Sequence, residues 1–385
     1  MTNDGSEERI APPPRVPALD GIRGVAILAV VAYHCQLFGR IGQTSVAGRL
    51  YQTVAAHGHY GVDLFFTLSG FLITGILCDS RGSASYFRTF YIRRALRIFP
   101  PYYVFLLLVA ASLPWTTQAW LWSYLSNILI ARESFEALPH ALRHVWSLAV
   151  EEQFYLVWPF VVFVVRPRTL LTVCVATILA SVALTTWLMV VTHQEVAAYV
   201  LTPTRADALA WGAAVAVAMR LSPGVLARVA RYGWPICLGL AVAFVGIGIA
   251  GHGAVGYLCK WIVADLACAA ALAGAATGMP DAWPQRVLSW SGLRAIGRWS
   301  YVMYLVQEPV AVVLSRSRVA PRVLAQALGS PLLALVVFTV IVTTVSAGIG
   351  WVSGATMERW LARVKDRVTY RGAHVVALSA ARAAQ

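Results

Sequence analysis

Long apolar runs alternate along this chain with short polar segments that are rich in arginine. A helix needs about 17–25 predominantly apolar residues to cross the hydrocarbon core of a bilayer. By that measure the pattern predicts about ten transmembrane helices and an all-α, polytopic integral membrane protein. The predicted spans are residues 19–38, 60–79, 99–113, 146–165, 169–190, 205–219, 233–250, 257–278, 296–315 and 331–351.

Three further segments lie outside these spans. Residues 1–18 are polar and proline-rich, which predicts a disordered cytosolic tail and not a removable signal peptide. Residues 352–385 are predicted to form a cytosolic C-terminal tail, so no appended soluble domain is expected beside the membrane domain at 19–351. The aromatic stretch Trp120–Ala131 is too short to span and is predicted to lie along the membrane interface.

Composition agrees with a membrane protein. Hydrophobic residues make up 59% of the chain and charged residues 12%, with a mean hydropathy of +0.67. Soluble domains carry roughly 25% charged residues, about twice this share. The six cysteines lie within or beside apolar runs and form no CxxC pair, so they indicate apolar packing and neither a metal site nor a disulfide framework.

The distribution of basic residues along the chain predicts its orientation in the membrane. The chain has 31 Lys and Arg against 17 Asp and Glu, a net charge of +14. No zinc-finger or RNA-binding motif accompanies it, so nucleic acid is excluded as a partner. The arginines instead concentrate in alternate loops, as the positive-inside rule expects, although the loop with Arg316, Arg318 and Arg322 disagrees. We therefore expect a multi-pass protein of a bacterial inner membrane with both termini in the cytoplasm.

The first predicted span carries Arg23 and His34, eleven residues apart. Eleven helical residues turn through about 1100° and rise about 16 Å, so the two side chains share a face at two depths. The orientation puts Arg23 near the cytoplasmic end and His34 in the outer half. In the structural alternative, Arg23 reaches to the interface and His34 hydrogen-bonds a neighbour.

The fourth predicted span, with VWSLAVEEQFYLVWP, adds a carboxylate to this picture. Ser147, Glu151 and Tyr155 lie on one helix face, and Glu151 is predicted at the depth of His34. A carboxylate that faces an imidazole stabilises its protonated form, as a general base requires. A buried structural pair is the alternative.

The remaining polar groups divide by depth into an inner and an outer set. Arg94 and Arg97 share a face at the inner side, where they either anchor the helix or clamp a phosphate. With Arg23 they form the predicted inner cluster; the predicted outer cluster holds His34, Glu151, Arg205 and Asp207. Asp63 is predicted beside the outer cluster and Ser69 near mid-membrane. Acyl-coenzyme A, with its phosphorylated head and long arm, has the shape to span both depths.

The residues that carry these predictions also resemble a known family. The chain resembles the acyltransferase 3 family of membrane-bound enzymes, which O-acylate carbohydrates and related hydroxylated acceptors. The matching motifs, which run from the first predicted span to the ninth, are LDGIRG…AYH, GVDLFFTLSGFLIT, RRALRIFP, VWSLAVEEQFYLVWP, RADAL and GRWSYVMYL. The resemblance implies that His34 is catalytic, that arginines bind the acyl donor, and that the acyl group is acetyl by default.

One block departs from the family pattern. The ninth-span block commonly ends Tyr-Leu-x-His-x-Pro, whereas here it reads YLVQEP, with Gln307 at the histidine position. The resemblance therefore assigns no role to that position. The adjacent Glu308 is an additional intramembrane carboxylate for which the sequence names no partner.

These observations predict an integral membrane O-acyltransferase that uses acyl-CoA, expected to be acetyl-CoA, as its donor substrate, with no permanently bound cofactor. His34 is the expected general base and Glu151 its orienting carboxylate. The acceptor is a cell-envelope sugar or a macrolide-type metabolite. Residues expected to position the acceptor or brace the site are Asp63, Ser69, Ser147, Tyr155, Arg205 and Asp207. The alternatives are a transporter of an acylated or polar solute and a structural subunit.

Overall fold

A computed structural model describes residues 16–38, 45–110, 113–222, 224, 228, 231–250, 253–278, 282–365 and 367–370. The structure is 88% helical, and no strand occurs among the described residues, as the all-α prediction requires. The first ten helices are α1 (Pro17–Phe38), α2 (Val46–Ala56), α3 (Gly61–Ser80), α4 (Tyr86–Val109), α5 (Trp115–Trp122), α6 (Ser126–Glu133), α7 (Trp146–Val164), α8 (Pro167–Thr186), α9 (Glu195–Val200) and α10 (Thr202–Leu221).

The remaining helices are α11 (Gly233–Ala250), α12 (Gly253–Thr277), α13 (Trp283–Leu288), α14 (Ser291–Leu314), α15 (Pro321–Leu328), α16 (Pro331–Ser353) and α17 (Arg359–Lys365). Short 3-10 turns lie at His57–Tyr60, Phe135–Ala137 and His140–Val145, and single π turns at Trp187–Val191 and Gly354–Glu358.

Within the described part of the chain, six helical stretches are long and apolar enough to cross a membrane: Pro17–Phe38, Val46–Ser80, His140–Val164, Pro167–Val191, Gly253–Thr277 and Pro331–Val364. They contain or closely overlap six of the ten predicted spans. The other four predicted spans fall on α4, α10, α11 and α14, which carry charged residues or have a shorter apolar stretch. The prediction of about ten spans therefore stays a prediction.

The predictions for the segments outside the spans have different outcomes. Residues 1–15 and 371–385 lie outside the described residues, so the two tails stay predictions. The start of the predicted C-terminal tail is helical, because α16 continues through a π turn into α17. Trp120–Ala131 covers the end of α5 and the start of α6, and Tyr124 separates these helices with a φ of 55°.

The core is built from helices that approach closely through glycine. At the contact of α3 with α10, a Cβ on Gly212 would overlap the carbonyl of Thr67, and one on Gly70 would overlap the carbonyl of Leu209. Small residues let helix backbones come together in membranes, where van der Waals packing drives association. α1 packs against α14, α3 and α16. The polar residues of α1, α3 and α14 therefore meet inside the bundle.

Candidate active site

Two adjoining cavities lie among these helices. The first, here the arginine cavity, has a volume of about 90 Å³, and its polar lining is Arg23, Ser69, Arg94, Arg97, Ser147, Glu151, Tyr155, Ser300, Tyr301 and Tyr304. The second, the histidine cavity, has a volume of about 300 Å³, and its polar and aromatic lining is Tyr33, His34, His59, Phe135, Glu136, His140, Arg143, His144, Trp146, Tyr199, Tyr304 and Glu308. Val62 and Tyr304 line both, so the cavities share a wall.

The three arginines of the predicted inner cluster lie together in the arginine cavity. Arg23 is held by Asp20, one turn earlier on α1, at 3.1 Å. Arg94 stacks on the ring of Tyr155, with its guanidinium carbon 4.9 Å from the ring centroid. Arg94 and Arg97 come from consecutive turns of α4, so the cavity has the positive charge and planar donors that suit a phosphate group.

Glu151 lies in the arginine cavity and not beside His34, which corrects the expected pairing. Its Oε1 accepts a hydrogen bond of 2.7 Å from the hydroxyl of Ser69. The helix phase of α7 was right, since Ser147, Glu151 and Tyr155 line the same cavity. The expected contact of Glu151 with His34 is not formed, because the distance along α7 does not show which neighbouring helix its polar face meets.

His34 lies in the histidine cavity, where α14 holds both of its ring nitrogens. Nδ1 lies 2.8 Å from the amide Nε2 of Gln307 and 3.1 Å from its Oε1. Nε2 lies 3.5 Å from Oε1 of Glu308. Gln307 and Glu308, the two residues at the departure from the family pattern, are therefore the direct neighbours of His34.

Glu308, for which the sequence named no partner, lies among histidines. It is 2% exposed, and three imidazoles surround it. Nδ1 of His144 lies 2.6 Å from Oε2, while Nδ1 of His140 lies 3.3 Å from Oε1. His34 completes the group. Among the described residues no group of His, Cys, Asp or Glu has the arrangement of a metal site.

Pro309 explains how His144 reaches this group. A proline within a helix has no N–H for the carbonyl four residues earlier, which in α14 is that of Leu305. Nε2 of His144 donates to this carbonyl at 3.1 Å. The ring of His144 is thus fixed between the carbonyl of Leu305 and the carboxylate of Glu308. The pattern H-x₃-H at His140 and His144, directly before the fourth predicted span, was the available signal for these residues.

Tyr304 forms part of the wall between the cavities. Its hydroxyl lies 2.6 Å from the hydroxyl of Ser147 and 3.1 Å from the carbonyl oxygen of His144. Ser147 also donates to the same carbonyl at 3.1 Å. The predicted site residue Ser147 is thus a structural contact of the shared wall.

Asp63, Arg205 and Asp207 are not among the residues that line the two cavities. Arg205 of α10 forms an ion pair with Asp63 of α3, and both side chains are almost fully buried. Its guanidinium carbon lies 4.1 Å from the ring centroid of Trp261. Asp207 is bound locally, with its Oδ1 accepting from the backbone N–H of Ala208 at 2.9 Å. Of the two predicted roles, these contacts favour bracing of the helices.

The far side of the histidine cavity is lined by aromatic rings and by one residue of each charge, Glu136 and Arg143. Glu136 accepts a hydrogen bond from the hydroxyl of Ser134, which holds the pKa of this exposed carboxyl below its usual range. Nε of Arg143 donates to the carbonyl of Leu138 at 3.1 Å. Rings beside hydrogen-bonding groups of both charges suit a polar, hydroxylated ligand.

Comparison with known proteins identifies the family of the chain. The acyltransferase domain of the acyltransferase 3 family matches residues 16–351. The chain belongs to this family. The resemblance drawn from the motifs is thereby confirmed, and the family is one of acyltransferase enzymes.

Individual relatives are O-acetyltransferases by name. The chain is 30% identical over 330 residues to the peptidoglycan O-acetyltransferase OatA of Listeria monocytogenes, covering 77% of this chain and 49% of that protein. It is 29% identical over 363 residues to the putative peptidoglycan O-acetyltransferase YrhL of Bacillus subtilis, covering 87% and 54%. The chain thus spans about half the length of these curated relatives. No solved structure matches the chain.

Proposed function

We propose that this protein is a membrane O-acetyltransferase that transfers an acetyl group from acetyl-CoA to a hydroxyl of a cell-envelope carbohydrate. The observation that carries the proposal is the pair of adjoining cavities, one with three arginines and one with His34. The names of the two peptidoglycan O-acetyltransferases support the choice of acetyl group and of acceptor class.

The donor occupies the arginine cavity from the cytoplasmic side. Arg94 and Arg97 bind phosphate oxygens of coenzyme A, with Arg23 adding positive charge in the same cavity. The thin pantetheine arm then extends toward the shared wall at Tyr304. The positive-inside rule supports this orientation, because the alternate loops with a surplus of arginine are expected to face the cytoplasm.

The acceptor occupies the histidine cavity, which has the larger volume. Tyr199 and Trp146 present rings against which a sugar can pack, while Glu136 and Arg143 offer an acceptor and a donor for its polar groups. One acceptor hydroxyl then lies beside His34. His34 removes the hydroxyl proton as the oxygen attacks the thioester carbon, and the coenzyme A thiolate leaves.

The decisive experiment measures acetyl transfer by the purified protein in lipid nanodiscs with radiolabelled acetyl-CoA. The acceptors are peptidoglycan fragments, lipid-linked sugars and, for comparison, a macrolide. We expect transfer to the envelope sugars, and a loss on the order of 10³-fold in His34→Ala, the usual scale for a positioned general base. His57→Ala is the matched control, because His57 lines neither cavity. Full activity in His34→Ala contradicts the mechanism.

A vesicle assay separates this function from the transporter alternative. The enzyme consumes acetyl-CoA in proportion to the acetylated product. A transporter moves solute across the vesicle membrane without consuming acetyl-CoA, and that result contradicts the proposed function.

A further inference from the structure

The two carboxylate oxygens of Glu308 have different surroundings. Oε2 is saturated, because it accepts from Nδ1 of His144 at 2.6 Å and from the backbone N–H of His144 at 3.4 Å. Both ring nitrogens of His144 face acceptors, since Nε2 points at the carbonyl of Leu305. Oε2 is thus anchored by His144.

Oε1 has no such anchor. His34 Nε2 lies 3.5 Å from it and His140 Nδ1 lies 3.3 Å from it, and neither contact has hydrogen-bond geometry. Glu308 lines the histidine cavity. One oxygen of a buried carboxylate therefore remains available on the side where His34 meets the cavity.

Gln307 acts on the opposite nitrogen of His34. A neutral imidazole has one donor nitrogen and one acceptor nitrogen, and a hydrogen bond to one of them selects the tautomer. The Gln307 amide faces Nδ1 with Nε2 at 2.8 Å and Oε1 at 3.1 Å, so each orientation of the amide selects one tautomer. With Oε1 turned to Nδ1–H, the lone pair of His34 is at Nε2, and this is the orientation that the proposed reaction uses. Nε2 is the nitrogen nearest to Oε1 of Glu308. Adjacent residues of α14 thus hold both nitrogens of the ring.

From this arrangement we propose that Glu308 is the positioning residue of His34, with Gln307 setting the tautomer and the Pro309–Leu305–His144 contact fixing the carboxylate. The inference rests on the proposed function and names the carboxylate partner of its base. As the acceptor oxygen bonds to the acetyl carbon, its proton moves to Nε2 of His34. Oε1 of Glu308 then stabilises the imidazolium by charge. The C–S bond breaks, and the thiolate leaves and takes up the proton.

The same inference gives the departure from the family pattern a physical meaning. At position 307 the reaction needs a side chain that accepts from Nδ1–H of His34, and an amide oxygen supplies this as well as a ring nitrogen does. At position 309 it needs proline, since the carbonyl that proline leaves without an N–H partner is the one that holds His144.

The test compares Glu308→Gln with wild-type protein in the nanodisc assay. Without the carboxylate charge we expect kcat to fall on the order of 10²-fold, while KM for acetyl-CoA stays unchanged because Glu308 does not line the arginine cavity. Glu308→Asp keeps the charge and is expected to restore part of kcat. Glu195→Gln is the matched control, since Glu195 is exposed and lines neither cavity.

A second variant tests the inference independently, in case Glu308→Gln does not fold. Pro309→Ala gives α14 an N–H that competes with His144 for the carbonyl of Leu305, while alanine favours the helix. We expect it to fold, to bind coenzyme A as wild type does, and to lose kcat by about tenfold. Wild-type kcat in either Glu308→Gln or a folded Pro309→Ala overturns the inference.

The outcomes also separate this inference from the proposed function. If wild-type protein transfers acetyl groups, His34→Ala does not, and Glu308→Gln does, then the proposed function stands and the role of Glu308 is refuted. If the wild-type protein transfers no acetyl group to any acceptor, the proposed function itself fails.

Discussion

Two aspartate–arginine pairs connect α3 to α10, and they differ in how far their side chains are exposed. The Asp63–Arg205 pair is almost fully buried, with side chains 3% and 2% exposed. In the Asp79–Arg220 pair the side chains are 32% and 24% exposed. Removing one partner of a buried pair leaves an uncompensated charge and costs several kcal/mol, whereas a pair that water reaches contributes little.

The two pairs give a matched test at the residue scale. We expect Asp63→Asn to lower the free energy of unfolding by about 3 kcal/mol, because Arg205 loses its direct partner. Asp79→Asn is expected to cost less than about 1 kcal/mol. Thermal unfolding of both variants in detergent measures the difference. Equal losses in the two variants would contradict the bracing role of Asp63 and Arg205.

At the scale of elements, the crossing of α3 and α10 depends on glycine. A side chain at Gly212 would meet the backbone of Thr67, and backbone cannot move aside as a flexible side chain can. Gly348, in α16, is exposed and has open space around it. The same residue type therefore has a packing role in one helix and none in the other.

The corresponding prediction compares Gly212→Ala with Gly348→Ala. The first variant must separate α3 from α10, and we expect it to lose about 1–3 kcal/mol of stability. The second is expected to gain up to about 1 kcal/mol, since alanine favours a helix more than glycine does. Thermal unfolding and the yield of monodisperse protein report both effects. A stable Gly212→Ala would show that the crossing tolerates a Cβ.

At the scale of the whole molecule, the proposed reaction assigns the two substrates to different cavities. Arg94 lines the arginine cavity, which shares only part of its wall with the histidine cavity. A variant there should affect the binding of the donor and leave the binding of the acceptor unchanged. Variants around His34 should instead lower the rate of the chemical step.

Arg94→Ala tests this division. We expect KM for acetyl-CoA to rise by about tenfold or more, the worth of one charge-assisted hydrogen bond, while KM for the acceptor is unchanged. Arg88→Ala is the matched control, because Arg88 is an exposed arginine of the same helix that lines neither cavity. Steady-state kinetics with each substrate varied in turn give both constants. A rise in KM for the acceptor alone would contradict the assignment.

The sequence by itself determined the features that are local in the chain. Apolar runs determined the helices, and helix phase determined that Ser147, Glu151 and Tyr155 share a face. Motif order determined the family, which the match over residues 16–351 confirms. These features depend on neighbours within a few turns, so one chain read alone contains enough information for them.

Only the tertiary structure decided which polar faces meet. Glu151 hydrogen-bonds Ser69, and Glu308 takes the place beside His34 that the sequence had assigned to Glu151. His144 enters the site through a carbonyl that Pro309 leaves without a helical N–H partner. Such contacts join residues more than 80 positions apart, and their distances follow from helix crossings that no local pattern specifies. The partner of His34 was therefore a property of the packed bundle and not of the motif around it.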